Sequence, residues 1–321
     1  MTRFLLCLVL VISAQASDAN LVRESTKMTL RGDWDAAAAI IQPALEDAVR
    51  RHDGVQEAIL RTELGRVLAE RNFFRRADAA HAQNTLLEAL HVAQSVGHQQ
   101  SIADATQYLG QLHYAEAFRT EDWEKPRSYF RRAVSLRRKI HDRSGLAQSY
   151  FYLGLTYEQQ KHPETAMRYY RQSLALSDAI GDKVLQSYAH RHIGGLDEER
   201  GRWDHAYRHI SQSLELRQQA GFMVGVPFEL IQKAEFIFDH YGQREQATAL
   251  LEEAIDTAEK FHSTRALSAA QTSLAKLQLA ENHVPDAVSF LQCALDNARE
   301  FGDPEAVAET EKLLKLAVSH R

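Results

Sequence analysis

The sequence predicts an all-α fold made of stacked helical hairpins, and three observations predict it. Helix-favouring residues dominate the 321-residue chain, which has only 6 Pro and 15 Gly, and such residues lose little freedom in a helix. Short Gly-Asp or His-Asp marks recur at a nearly fixed interval. Small side chains recur in phase with those marks. The chain is too long for one ordinary core, but a repeat array grows by adding units instead of enlarging a core.

The first element is a leader. Arg3 gives a positive start, Phe4 to Ile12 is an unbroken apolar run, and Ser13-Ala14-Gln15-Ala16 offers a small-x-small cleavage site. This pattern predicts a secretory signal peptide over residues 1–16, cut after Ala16. The apolar run is about half the ~20 residues that span a bilayer. Cys7 does not follow a small residue near the cut, which argues against a lipid anchor. The expectation is therefore a periplasmic or secreted protein, with residues 17–321 forming one helical repeat domain.

Removing the leader takes away one basic residue of 38 and leaves 43 acidic ones. An acidic chain is poorly suited to nucleic acid or an anionic membrane, both of which call for a basic surface. The mature chain keeps one cysteine, Cys293, so no internal disulfide forms and burial alone must stabilise the fold. Cys293 lies in an apolar stretch, and a buried, inert thiol is expected there.

The marks are His52-Asp53, Gly97-His98, His141-Asp142, Gly181-Asp182, Gly221-Phe222, His262-Ser263 and Gly302-Asp303. Their second members are 45, 44, 40, 40, 41 and 40 residues apart, a period typical of repeat architectures. Each mark suits a helix end. Sixteen residues before each mark stand Ala37, Ala82, Pro126, Ala166, Ala206, Ala247 and Ala287. Four residues on come Ile41, Leu86, Phe130, Tyr170, Ile210, Leu251 and Leu291. Three beyond those come Ala44, Ala89, Ala133, Ser173, Ser213, Ala254 and Ala294. Small, bulky and small at i, i+4 and i+7 share one helical face, where small residues let a neighbour approach.

A further helix precedes each of these. Twelve residues after the first six marks stand Gly65, Gly110, Gly154, Gly194, Ala234 and Ala275. Glycine inside a helix costs about 0.5–1 kcal/mol against alanine, so its recurrence predicts helix crossings with no room for a side chain.

Here the chain resembles the tetratricopeptide repeat family. Ser149-Tyr150-Phe151-Tyr152-Leu153-Gly154-Leu155-Thr156-Tyr157, with Ala166, Tyr170 and Ser173, is close to the family pattern W-x2-L-G-x2-Y…A-x3-F. The resemblance runs from about Asn20 to Arg321 and implies an α-α superhelix of seven hairpins and a C-terminal capping helix. The spacing is longer than the common 34 residues and is similar to the longer-period branch. In the last helix, Pro304 to His320, Lys315 replaces a small residue, as a cap with one wet face requires. The second and third hairpins carry extra residues that include Phe73, Phe74 and Trp123. Longer helices packing on each other account for them, and a second binding patch is the alternative.

No Gly-rich phosphate loop, HExxH, Gly-x-Ser-x-Gly or paired-Cys motif occurs, so no enzyme, cofactor or metal is expected. The best metal candidate among fifteen histidines is His190, His192, His205 and His209. Spacing fixes no third ligand, and a set of surface histidines is the simpler reading.

The resemblance implies that the first helix of each hairpin lines a concave surface. Carried over from the small packing residue, the inner stripe includes Arg66 in the second hairpin, Gln111 and Tyr114 in the third, and Phe151 and Glu158 in the fourth. It continues with Tyr188, Arg191 and Glu198 in the fifth, Phe228, Glu235 and Phe238 in the sixth, and Lys276 in the seventh. Rigid rings bury area at low entropic cost, so a protein or peptide ligand is expected, with some rings packing between hairpins instead. No Asn occupies the stripe, so the family's Lys-and-Asn clamp for a C-terminal carboxylate is absent, and a ligand with apolar residues and a basic group fits better. The family resemblance implies a non-catalytic interaction scaffold, or else a peptide- or ligand-sensing subunit of a bacterial envelope signalling system.

Overall fold

The computed structural model describes residues 19–75 and 79–319; the leader lies outside them. All regular structure among the described residues is helical. A helix over 19–29, α1, is followed by α2 (Trp34–Arg50), α3 (Gly54–Phe74), α4 (Ala79–Val96), α5 (Gln99–Thr120), α6 (Glu124–Lys139), α7 (Arg143–Gln159) and α8 (Pro163–Ile180). Then come α9 (Lys183–Glu199), α10 (Trp203–Ala220), α11 (Val226–Tyr241), α12 (Arg244–Lys260), α13 (Thr264–Ala280), α14 (Val284–Phe301) and α15 (Pro304–Ser319). Odd and even helices pair as seven hairpins, and α15 closes the series.

The marks are double signals. Their first members, His52, Gly97, His141, Gly181, Gly221, His262 and Gly302, all have positive φ, the left-handed turn that ends a helix. At several marks the second member caps the next helix. Asp53 Oδ1 accepts from the Gln56 amide at 3.1 Å, Asp142 Oδ1 from Gly145 at 2.9 Å, and Asp182 Oδ1 from Leu185 at 3.0 Å. Two residues thus stop one hairpin and start the next.

The columns form the interior. Ala37, Ala82, Ala166, Ala206, Ala247 and Ala287 are fully buried, as are Ile41, Leu86, Phe130, Tyr170, Ile210 and Leu291. Each such large apolar side chain contributes about 1.5–3 kcal/mol on burial. The glycines sit opposite the bulky column of their own hairpin. A β-carbon on Gly65 would lie 2.4 Å from Leu86 Cδ2, on Gly110 2.7 Å from Phe130 Cε1, and on Gly154 2.4 Å from Tyr170 Cε1. At Gly194 the nearest atom, Ile210 Cγ1, is 3.1 Å away. The sixth and seventh hairpins carry alanine in the glycine place: Ala234 shares a core with Leu251, and Ala275 with Leu291.

One expectation fails. Cys293 is exposed, not buried. On α14 the buried residues are Ala287, Val288, Leu291, Ala294, Leu295 and Ala298, and Cys293 falls between them, on the far side of the helix. Helical phase, not the apolar neighbourhood, decides its position.

The chain divides into two compact units, one holding residues 19–72 and 79–145, the other 73–75 and 146–319 among those described. In the first unit, Arg137 is almost fully buried and bridges Asp104 at 3.0 Å and Asp142 at 2.8 Å. In the second unit, α9 packs on α10, α11 on α12 and α13 on α14, and α11 also contacts α13. Only Thr310 and Ala317 are buried on α15, the wet face of a terminal helix.

Candidate binding groove

In the second unit the first helices of successive hairpins are tied by one recurrent device. A glutamate on each of α7, α9 and α11 accepts a hydrogen bond from the next first helix. Glu158 on α7 accepts from His192 Nδ1 on α9 at 3.1 Å, and also from the Tyr170 hydroxyl. Glu198 on α9 accepts from His240 Nε2 on α11 at 2.9 Å. Glu235 on α11 accepts from Ser273 Oγ on α13 at 2.6 Å. Burial opposes the charge on Glu158, but His192 and the Tyr170 hydroxyl outweigh it and hold the carboxyl below its ordinary range. These acids brace the wall they stand on.

The rings of this wall divide by depth. Phe151 is buried, packed on Tyr188 at 5.1 Å, His192 at 5.4 Å and Tyr170 at 5.8 Å. Tyr188, Phe228 and Phe238 are half-buried and present ring surface that the core does not cover. Tyr188 meets Phe222 edge-on at 5.4 Å. Phe228 lies 6.3 Å from Phe74, which in turn lies 6.2 Å from Phe222. A charged layer supports this aromatic patch. The Arg217 guanidinium lies 5.0 Å from the centroids of both Tyr188 and Phe222, with Nη2 2.8 Å from the fully buried Glu229. Arg191 Nη1 donates to the Phe228 carbonyl at 2.7 Å and to Glu229 at 3.2 Å.

Other stripe residues stand elsewhere. Arg66, in the first unit, is buried and held by Glu63 and Glu70, each at 2.6 Å. Tyr114 is buried there against Phe118 and Trp123, while Gln111 is half-buried. Lys276 pairs with Glu309 at 2.6 Å on an open surface. Four further residues join the groove: Phe74, which the sequence marks only as part of an insert with a second binding patch as the alternative, Phe222 as part of a mark, His192 as a metal candidate, and His240, which no pattern singles out. Phe222 did carry a signal, as the one aromatic residue among the second members of the marks.

The histidine set is split. His190 Nδ1 lies 2.7 Å from His209 Nδ1, His192 turns to Glu158, and His205 is exposed. Among the described residues no three His, Cys, Asp or Glu side chains gather as a metal set, and no helix is long and apolar enough to cross a membrane.

Paired antiparallel helices, glycine-tight crossings and a first-helix wall define a helical-hairpin repeat protein. Residues 108–179 match the tetratricopeptide repeat family, and the described helices have the all-α solenoid fold seen in such repeats. Among solved structures it is similar to a Rap protein complexed with competence and sporulation factor, at 15% identity over 94% of this chain and 87% of that one, with a TM-score of 0.66. It is also similar to NprR in complex with its cognate peptide NprX, at 14% identity, 95% and 87% coverage and a TM-score of 0.58. A tetratricopeptide repeat protein from Parabacteroides merdae matches at 17% identity, 94% and 99% coverage and a TM-score of 0.52. No curated protein sequence matches the chain.

Proposed function

We propose that the protein is an exported, non-catalytic scaffold that holds a polypeptide along the inner wall of its second unit. One observation carries this reading: Tyr188, Phe228 and Phe238 stand half-exposed on consecutive first helices, next to Glu198 and Glu235 that already brace the wall. Rigid, partly covered rings on a stiff support are what a peptide-binding surface uses, because they lose little freedom on contact. The Rap and NprR structures, both described as complexes with a peptide or factor, support the same use of the fold. They also favour a second role, in which ligand binding is the signal and a separate partner carries the output.

Export rests on the leader at residues 1–16, and the mature chain would begin at Ser17. Cell fractionation with mass measurement tests it, and an uncleaved chain in the cytosol contradicts it. For the groove, the tagged protein is used to capture partners, alongside a Phe228→Glu/Phe238→Glu variant. A polypeptide that the wild type retains and the folded variant loses supports the reading. Equal retention by both places the binding surface elsewhere.

A further inference from the structure

The second unit contains a short stretch of chain remote in sequence from the rest of it. Phe73 to Arg75 belongs with residues 146–319, and Phe74 reaches the groove. Phe74 is buried against Phe222 and Phe228. Phe73 packs edge-on against Phe74 at 5.0 Å and lies under the Arg265 guanidinium, 4.7 Å from its ring centre. Arg75 lines a cavity of about 330 Å³ with Thr264, Glu300 and Phe301. One half-exposed ring of the proposed site, Phe228, therefore already packs on the inner aromatic residue of the segment, while Phe73 and Arg75 lie beside residues of α13 and α14.

An internal segment seated on a binding surface displays the chemistry which that surface accepts. The rings of Phe222 and Phe228 supply an apolar slot, Arg265 a cation over the outer ring, and Glu300 a carboxylate beside the following basic side chain. Phe73 remains more than a third exposed, so the outer ring of the segment is only partly covered. An aromatic side chain that leaves such a slot gives up a few kcal/mol, which a ligand presenting the same rings would restore.

We propose that Phe73-Phe74-Arg75 is a resident stand-in for the ligand: the groove selects a polypeptide carrying two adjacent aromatic residues and then a basic one, and that polypeptide binds by displacing the segment. This inference rests on the groove reading above and adds to it the ligand's chemistry and a built-in competitor.

The test uses the mature chain and a labelled synthetic peptide of residues 71–77. Fluorescence anisotropy compares the wild type with a Phe73→Ala/Phe74→Ala variant whose helicity and melting are checked by circular dichroism. The variant is expected to bind the peptide at least tenfold more tightly. Adding Phe228→Ala to it should abolish the gain, and a peptide with both Phe replaced by Ala should not bind. Equal binding by wild type and folded variant overturns the proposal, as does no binding by either.

A second measurement leaves the segment intact. With 4-fluorophenylalanine at position 74, saturating peptide should move the ¹⁹F resonance to that of an unpacked ring. Peptide bound with an unchanged resonance also overturns the proposal. Either failure leaves the groove reading standing if Phe228→Glu/Phe238→Glu still abolishes partner capture.

Discussion

A β-carbon on Gly154 would stand 2.4 Å from Cε1 of Tyr170, so the two residues are complementary halves of one helix crossing. Tyr170 is fully buried there and its hydroxyl reaches Glu158. The same relationship recurs as Gly110 with Phe130 and Gly65 with Leu86.

Gly154→Ala should therefore destabilise the protein, although alanine is the better helix former by about 0.5–1 kcal/mol. Overpacking a filled core costs about 1–3 kcal/mol, and the nearest atoms belong to a ring that cannot bend aside. Gly194→Ala should be close to neutral, because its β-carbon would meet Ile210 Cγ1 at 3.1 Å, where an aliphatic chain shifts easily. Tyr170→Leu should recover part of the Gly154→Ala loss, imitating the Ala234 and Leu251 pairing. Urea unfolding of the four proteins measures this coupling.

The fold was legible because its signals are local and repeated. A left-handed residue followed by an amide-capping one can be read at His52-Asp53 or Gly181-Asp182 without any long-range knowledge. The glycines were legible because their cost demands a reason. The groove was legible only in outline. A stripe position says which way a side chain leaves its helix, not what meets it. Arg66 leaves α3 toward groups supplied by its own helix and by Thr29, 3.2 Å away, and Phe151 is covered by Tyr188 and His192 from the next hairpin. Phe74 illustrates the limit best. The insert length marked it as unusual, but no spacing rule places it on Phe222 and Phe228.

The buried charge beneath the aromatic patch gives a further prediction. Glu229 is fully buried and Arg217 nearly so, so Arg217→Met strands a carboxylate against Arg191 alone. Breaking such a pair costs about 3–5 kcal/mol. Replacing both, as Arg217→Met/Glu229→Leu, should recover most of that loss, since desolvation of the two charges offsets much of their attraction. Chemical denaturation of the single and double variants checks the order.

Stability should also depend on pH through His190 and His209. Burial, with a smaller contribution from the adjacent His209, depresses the His190 pKa to about 4, and burial lowers His209 as well. The unfolded imidazoles titrate at about 6.5, so between roughly pH 6.5 and 4 the unfolded chain binds more protons. Folding stability is then complete above pH 6.5 and falls as the pH drops toward 4. Both rings keep some solvent access, which softens the effect. The melting midpoint of the wild type should fall by roughly 2–4 °C more than that of His190→Gln/His209→Gln between pH 7 and 5. Parallel curves would contradict this.

The inner wall is tested most directly by photo-crosslinking in cells that make the protein. A photoreactive phenylalanine analogue replaces Phe238 on α11 in one chain and Glu252, exposed on α12, in another. Irradiation should attach a polypeptide at position 238 and none at 252. Adducts at 252 with none at 238 would contradict the assignment of the binding surface.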